Sequence, residues 1–348
     1  MTASLKTLLM AGTVLGMATA AMAQDLAPLN SDEEPDRMDW SELDARFGEL
    51  PAPEAGTAVG GVSKTLTNEY WRSLGEGYEN LAQEYDVKFA YQAAPSEGDQ
   101  LGQLSIAENM ILQGYDALLF SPQTDNNLQP ALETARAQGI PVLNVNDAVI
   151  PSVEHYVGNV QRDNGVRVAQ WFIDNTEGGK LAVIEGQPGV FAAGQRTDGF
   201  TATINEAEGF EVVASVPANW SREQAYDAAS TILQQHPDLI GFYANNDGMA
   251  LGVVEAVKNA GLQEQVAVFG TDGISDAYNS IRAGDLTGTV DSFPVLTGEV
   301  AMEVALRLIA GQELPRVVAT PQALITADNI EQYAVEDTAA LRETLLAQ

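Results

Sequence analysis

The sequence predicts an α/β protein of two similar lobes, each a doubly wound parallel sheet, preceded by a signal peptide and an acidic extension. Three observations carry this prediction. From Val59 onward, apolar strand candidates alternate with amphipathic helix candidates, the order that lays helices on both faces of a parallel sheet. One such unit recurs: YDALLFSPQTDNNLQPALETARAQGIPVLNVND is echoed in layout by DLIGFYANNDGMALGVVEAVKNAGLQEQVAVFGTDG. Each has a buried strand, a polar strand end, a helix closed by Gly, and a second strand ending in Asp. Finally, 348 residues exceed one typical domain and leave each of two lobes enough chain for a core.

Residues 1–23 read as a secretory signal peptide. Lys6 precedes an apolar run from Leu8 to Ala18, and Ala21-Met22-Ala23 supplies the small-residue site, with cleavage expected after Ala23. The run is too short to span a bilayer comfortably. The expected mature protein is exported and soluble. Residues 24–56 differ from all that follows: ten acids stand against Arg37 and Arg46, with several prolines. That composition predicts a flexible, solvated extension. A short helix over Met38–Leu43, docking through Trp40, is the alternative.

Strand candidates then follow in order: VGGVSK, DVKFAYQA, DALLFSP, PVLNVND, KLAVIEG, EVVASVPA, LIGFYAN and VAVFGTD. Helices fall between them. Leu74, Tyr78, Leu81 and Tyr85 mark one apolar face within Tyr70–Tyr85; Leu128, Ala131, Leu132 and Ala135 mark a second; Leu251, Val254 and Val257 mark a third.

Polar and aromatic residues collect where the strands end. Lys64, Asn68, Tyr70 and Trp71 follow the first, Ser121 the third, and Asn146 and Asp147 the fourth. Asn219 and Trp220 follow EVVASVPA, Asn246 and Asp247 follow LIGFYA, and Asp272 ends VAVFGT. In open parallel sheets these ends form the crevice where ligands bind. Each residue also has a plainer role open to it: Asn and Asp suit helix caps, Tyr70 and Trp71 suit a staple or core, and Lys64 suits a solvated surface. Jointly, their placement favours a cleft between two lobes that takes a small polyhydroxylated guest, with C–H faces on rings and hydroxyls on amides and carboxylates.

Composition removes several rival chemistries. Cys is absent, which excludes thiol catalysis, thiolate metal sites, disulfides and a lipid-bearing N-terminal Cys. Only His155 and His236 are present, so a multi-histidine metal site is excluded and neither is given a role. A formal charge of -32 repels nucleic acid and anionic membrane. Gly186, Gly189 and Gly194 match neither G-x-G-x-x-G nor the phosphate loop, and no G-x-S-x-G elbow is present. The sequence offers no reaction centre; no enzyme, cofactor or metal is expected.

From about Val59 to Tyr333 the chain resembles periplasmic sugar-binding proteins of the ribose- and allose-binding type, which deliver monosaccharides to ABC importers. The segments that carry the resemblance are KTLTNEYW, APSEGDQ, PVLNVND, IEGQPGVFAAGQRTDGF, VPANW, YANNDGMALG and GTDG. Lys64, PSEGD and VIEG are nearest the allose-binding branch. The resemblance implies the type I periplasmic binding protein fold, with residues 57–161 plus 292–322 in the N-terminal lobe. Residues 162–291 plus 323–348 form the C-terminal lobe, with crossings near Arg162, Asp291 and residues 315–322. By motif it makes Lys64, Asn68, Tyr70 and Trp71 first-lobe contacts. Arg196 matches the sugar-binding arginine, Trp220 the stacking aromatic, and Asn246 and Asp272 the groups that bind hydroxyls.

Three positions depart from the ribose type. Asn146, followed by Asp147, stands where that type has Asp, Ser121 replaces an Asn, and Ser292, next to an extra Asp291, replaces Gln. These changes widen the expected ligands from an aldose to a smaller polyol, an inositol or an amino sugar. The expected function is capture without chemistry: a monomer whose lobes close on the guest and then dock on a membrane permease. A sensor presenting ligand to a chemoreceptor or kinase is the alternative. A transcription regulator of this fold would need an N-terminal DNA-binding element, and a carbohydrate-active enzyme a catalytic constellation; neither is in the sequence.

Overall fold

The computed structural model describes residues 26–335 and 337–347. The expected signal peptide and its cleavage after Ala23 lie outside them. The described chain opens with β1 (Arg37–Asp39), a 3-10 turn (Trp40–Glu42) and α1 (Leu43–Phe47). The first lobe then runs β2 (Ala58–Ser63), α2 (Glu69–Glu84), β3 (Lys88–Ala93), α3 (Gln100–Ile111), β4 (Ala117–Phe120), α4 (Gln129–Ala137), β5 (Val142–Val145) and β6 (His155–Gly158). The second lobe continues with α5 (Gln161–Asn175), β7 (Gly179–Glu185), α6 (Phe191–Glu206), β8 (Phe210–Pro217), α7 (Arg222–Gln235), β9 (Leu239–Ala244), α8 (Asp247–Ala260), β10 (Ala267–Asp272), α9 (Ser275–Arg282) and β11 (Gly288–Asp291). The chain returns to the first lobe for α10 (Pro294–Ile309) and β12 (Val317–Ala319), then crosses again to β13 (Ala323–Thr326), α11 (Ile330–Tyr333) and α12 (Thr338–Leu346).

Two sheets result. The first has strand order β1-β12-β6-β5-β4-β2-β3, all parallel. The second runs β13-β11-β10-β9-β7-β8, parallel except for β13. Strands such as ALLF and GTVD are buried along their whole length, as a sheet covered on both faces demands. Both orders reverse direction, at β4-β2-β3 and at β9-β7-β8, which opens a crevice at the carboxyl ends. Residues 159–160, 292–293 and 320–322 join the sheets. No helix among the described residues is long and apolar enough to cross a membrane.

The acidic extension departs from expectation. It is folded onto the first lobe rather than flexible. β1 pairs with β12 from Arg37↔Val317 to Asp39↔Ala319, and Leu29, Met38, Trp40 and Leu43 are buried. Its acids meet cations supplied by distant chain. Arg316 binds Glu34 at 3.1 Å and donates its backbone amide to Asp36; Arg307, fully buried, binds Asp44 at 2.7 Å. Composition misled here because it cannot show that distant arginines answer the charges.

The C-terminal segment also departs from its expected place. α12 ties to the first lobe: Thr338 and Arg342 both donate to Glu299 of α10, and the Arg342 guanidinium lies 5.2 Å from the Trp40 ring centroid.

Candidate ligand-binding cleft

Backbone conformation marks the cleft before any side chain does. Among the described residues, the non-glycine positions with positive φ are Asp86, Asn146, Asp147, Asn219, Trp220, Asp272 and Phe293. All but Asp86 lie at carboxyl strand ends or on a crossing. Such conformations cost of order 1 to 3 kcal/mol each and persist only where surrounding contacts hold them. Asn144 holds one of them. Buried inside β5, it donates to Ala148 O at 2.9 Å and accepts from Ile150 N at 2.8 Å, pinning the turn that contains Asn146 and Asp147.

The first lobe lines the cleft with Asn68, Tyr70, Trp71, Glu97 and Asp147; the second lobe lines it with Arg196, Trp220, Asn246 and Asp272. Asn68 Oδ1 caps α2 by accepting from Tyr70 N, and Asn246 Oδ1 caps α8 by accepting from Met249 N at 2.9 Å. The two readings of these strand-end amides therefore coincide. One oxygen caps a helix while the residue also faces the cleft.

Charge sits at the centre. Lys64, buried, forms an ion pair with Asp147. Its ammonium lies 5.5 Å from the ring centroids of both Trp71 and Trp220, which come from opposite lobes. Arg196 is held by two hydrogen-bond acceptors and two carboxylates. Its Nε donates to Gln161 Oε1 at 2.9 Å, its Nη1 donates to Asn245 O at 2.7 Å, and its guanidinium lies 3.6 Å from Asp147 and 3.7 Å from Asp272. Two close glycines make this reach geometrically available. A Cβ on Gly165 would meet Arg196 O at 2.0 Å and one on Gly199 would meet Arg162 O at 2.1 Å, so α5 and α6 touch along their backbones.

Burial raises the Asp147 carboxyl, but Lys64 and Arg196 more than reverse it and hold it below the usual carboxylate range. Asp272 behaves differently. Burial pushes it well up, Arg196 opposes this, and Asp247 adds to the rise. Burial also raises Glu97, against the pull of Lys64. Burial disfavours the charged form of Arg196, but Asp147 and Asp272 outweigh it and keep the guanidinium charged. Two cations thus face three carboxylates, a nearly balanced set that favours a neutral guest able both to donate and to accept.

Lys64, Asn68, Tyr70, Trp71, Asp147, Arg196, Trp220, Asn246 and Asp272 are brought together here. The other three sequence candidates stand behind the lining. Ser121 is buried, its carbonyl accepting from Gln103 Nε2 at 2.8 Å. Asn146 donates to the Tyr70 hydroxyl and accepts from Gln161 Nε2 at 2.8 Å. Ser292 sits on a crossing and donates its amide to Asp272 O. Glu97 and Gln161 join the site without a sequence signal of their own. Glu97 lies in PSEGD and accepts from Trp71 Nε1 at 3.1 Å; Glu97 Oε2 and Trp220 Nε1 are buried without a protein hydrogen-bond partner. Gln161 links Asn146 of one lobe to Arg196 of the other, a role no local pattern announces.

Two parallel-sheet lobes, joined by three crossings and enclosing charged and aromatic side chains at their strand ends, define a two-lobed solute-binding protein. Residues 59–313 match the Periplasmic binding protein domain family, and the chain belongs to it. It is 35% identical over 253 residues to the D-allose-binding periplasmic protein of Escherichia coli K12, covering 70% of this chain and 81% of that one. It is 33% identical over 280 residues to the D-ribose/D-allose-binding protein of Pseudomonas aeruginosa, covering 76% and 88%. Among solved structures, an ABC transporter periplasmic solute-binding protein of Actinobacillus succinogenes with bound D-allose superposes with a TM-score of 0.76 at 32% identity. That match covers 80% of this chain and all of the other. Members of this family bind solutes and are not enzymes.

Proposed function

We propose that this protein captures a neutral monosaccharide or related polyol between its lobes and delivers it to an ABC-type importer. One observation carries the reading: Trp71 and Trp220, from opposite lobes, both line a cleft whose polar lining is nearly charge-balanced, with the Lys64 ammonium 5.5 Å from each ring centroid. The aromatic faces pack on the C–H faces of a pyranose or cyclitol. Asn68, Glu97, Asp147, Arg196, Asn246 and Asp272 take its hydroxyls through hydrogen bonds, several of them charge-assisted. The D-allose named for two relatives and one structural neighbour puts an aldohexose first among candidates. Export through a signal peptide cleaved after Ala23, a monomeric state, and an additional partner in a chemoreceptor belong to the same proposal.

A thermal-shift screen over aldoses, polyols, inositols and amino sugars tests it. A guest at a hundredfold excess over Kd adds about 2.7 kcal/mol of stability, a readily measured rise. Product formation from the best guest, or no response to any class, overturns the proposal.

A further inference from the structure

The first amide groups of a helix have no partner within it. Several helices here find one nearby: Asn68 caps α2, Asp99 α3, Ser221 α7 and Asn246 α8. Among the second-lobe helices of eight or more residues, three have a cap residue that supplies no side-chain acceptor. These are α5, α6 and α9, whose cap residues are Val160, Val190 and Ile274.

Each of those three helices instead receives a carboxylate from the first lobe. Asp32 accepts from Gln161 N at 3.0 Å and Arg162 N at 2.7 Å, at the start of α5. Asp125, beyond β4, accepts from Phe191 N at 3.1 Å at the start of α6, and from Val149 N of its own lobe at 3.0 Å. Glu69, the first residue of α2, accepts from Ser275 N at 2.8 Å at the start of α9. Asp32 belongs to the extension, which β1 and Arg316 anchor to the first lobe. A main-chain bond from Ala192 N to Asp147 O, 3.1 Å, closes the same seam.

We propose that Asp32, Asp125 and Glu69 are positioning residues that cap second-lobe helices across the cleft, so that closing the lobes and completing three helix N-termini are one event. None of them lines the cleft, so they act on capture through the open–closed equilibrium alone. Asp125 and Glu69 bond directly to second-lobe amides at the starts of α6 and α9. Opening withdraws them from the positive ends of α6 and α9 and leaves those amides to water. Asp32 works beside the crossing at 159–160, where it sets the direction in which α5 leaves the hinge. Contacts made only in the closed form shift the equilibrium by their own differential energy. The proposal rests on reading the cleft as one that opens and closes, and not on the identity of its guest.

The chain has no cysteine, so spin labels can be placed at Leu112→Cys on the first lobe and Glu264→Cys on the second without competing sites. Pulsed-EPR distances are recorded on the full mature protein with no guest added, so that failure of the sugar reading leaves this test intact. Each substitution Asp32→Ala, Asp125→Ala or Glu69→Ala should raise the open-to-closed ratio about 5-fold, and all three together on the order of 100-fold. Asp32→Asn, Asp125→Asn and Glu69→Gln retain an accepting oxygen and should recover part of the closed population. Distance distributions in the folded triple alanine variant that match the labelled parent overturn the proposal. If the triple variant does not fold, unchanged distributions in Asp125→Ala and Glu69→Ala overturn it equally.

Discussion

The buried ammonium of Lys64 pairs with Asp147 within the first lobe, and Arg196 reaches the same carboxylate from the second lobe at 3.6 Å. One carboxylate therefore answers two cations from two lobes, and closure completes its coordination. Removing Lys64 leaves Asp147 with Arg196 alone. Lys64→Met should cost about 3 kcal/mol at neutral pH by urea unfolding, the lower end for a broken buried pair. Because Asp147 sits below its unfolded value, its contribution is present above that value and is lost as pH falls. The variant should therefore lose part of the wild-type acid limb of stability.

Arg196 and Trp220 carry the guest from the second lobe. Arg196→Ala leaves Asp147 and Asp272 without their shared cation, and Trp220→Ala removes one aromatic face. Both variants should show the native circular-dichroism spectrum and no thermal shift with the guest that best stabilises wild type. A normal response from both places the binding site elsewhere.

Gly186 controls where Trp220 lies. A Cβ there would stand 2.1 Å from the indole ring, and the backbone at Gly186 is otherwise open to any residue. Gly186→Ala should displace the ring and weaken guest binding about tenfold by calorimetry, while stability changes by about 1 kcal/mol or less.

The extension is a structural element, and its tryptophan should report that. Trp40 is buried among Met38, Leu43 and the Arg342 guanidinium. Trp40→Ala should lower unfolding free energy by about 3 kcal/mol, within the range for large-to-small core substitutions. A change near zero would return the segment to the status of a solvated leader.

Two buried carboxyls give stability a pH dependence of opposite sense to Asp147. Burial pushes Asp291 up to about 8, against the Phe293 amide and Tyr278 hydroxyl that bond it, and pushes Asp247 up to about 6. Both folded values exceed the unfolded one of 3.8, so over the interval between them the native state holds more protons than the unfolded state. Stability is then lost as pH rises through each folded value. Tm should decline between about pH 4 and about pH 8, and Asp291→Asn should flatten the upper part of that decline.

Much of the fold was legible locally. The eight strand candidates correspond to β2, β3, β4, β5, β7, β8, β9 and β10. The apolar runs of β4 and β5 announce strands buried on both faces, while β3 and β8 are partly exposed sheet edges. The strands not foreseen are of two kinds. β6 and β11, HYVG and GTVD, are short and carry His, Thr or Asp, so their hydrophobic signal is too small to stand out. β1, β12 and β13 are short pieces whose strand character comes from the neighbour they pair with.

By itself the sequence determined the alternation of strands and helices, and placed chemically apt residues at strand ends, because periodicity and strand termini are local properties of the chain. Only the tertiary structure decided which of those residues share one cavity. It set Ser121, Asn146 and Ser292 behind the lining, brought Glu97 into it, and made Gln161 the link between lobes. It also turned an acidic leader into a docked strand and a helix cap, by meeting Glu34, Asp36 and Asp44 with arginines far along the chain and giving Asp32 to the amides of α5. The physical reason is that an ion pair or a cap depends on separation in space, while composition records only how many charges a segment holds.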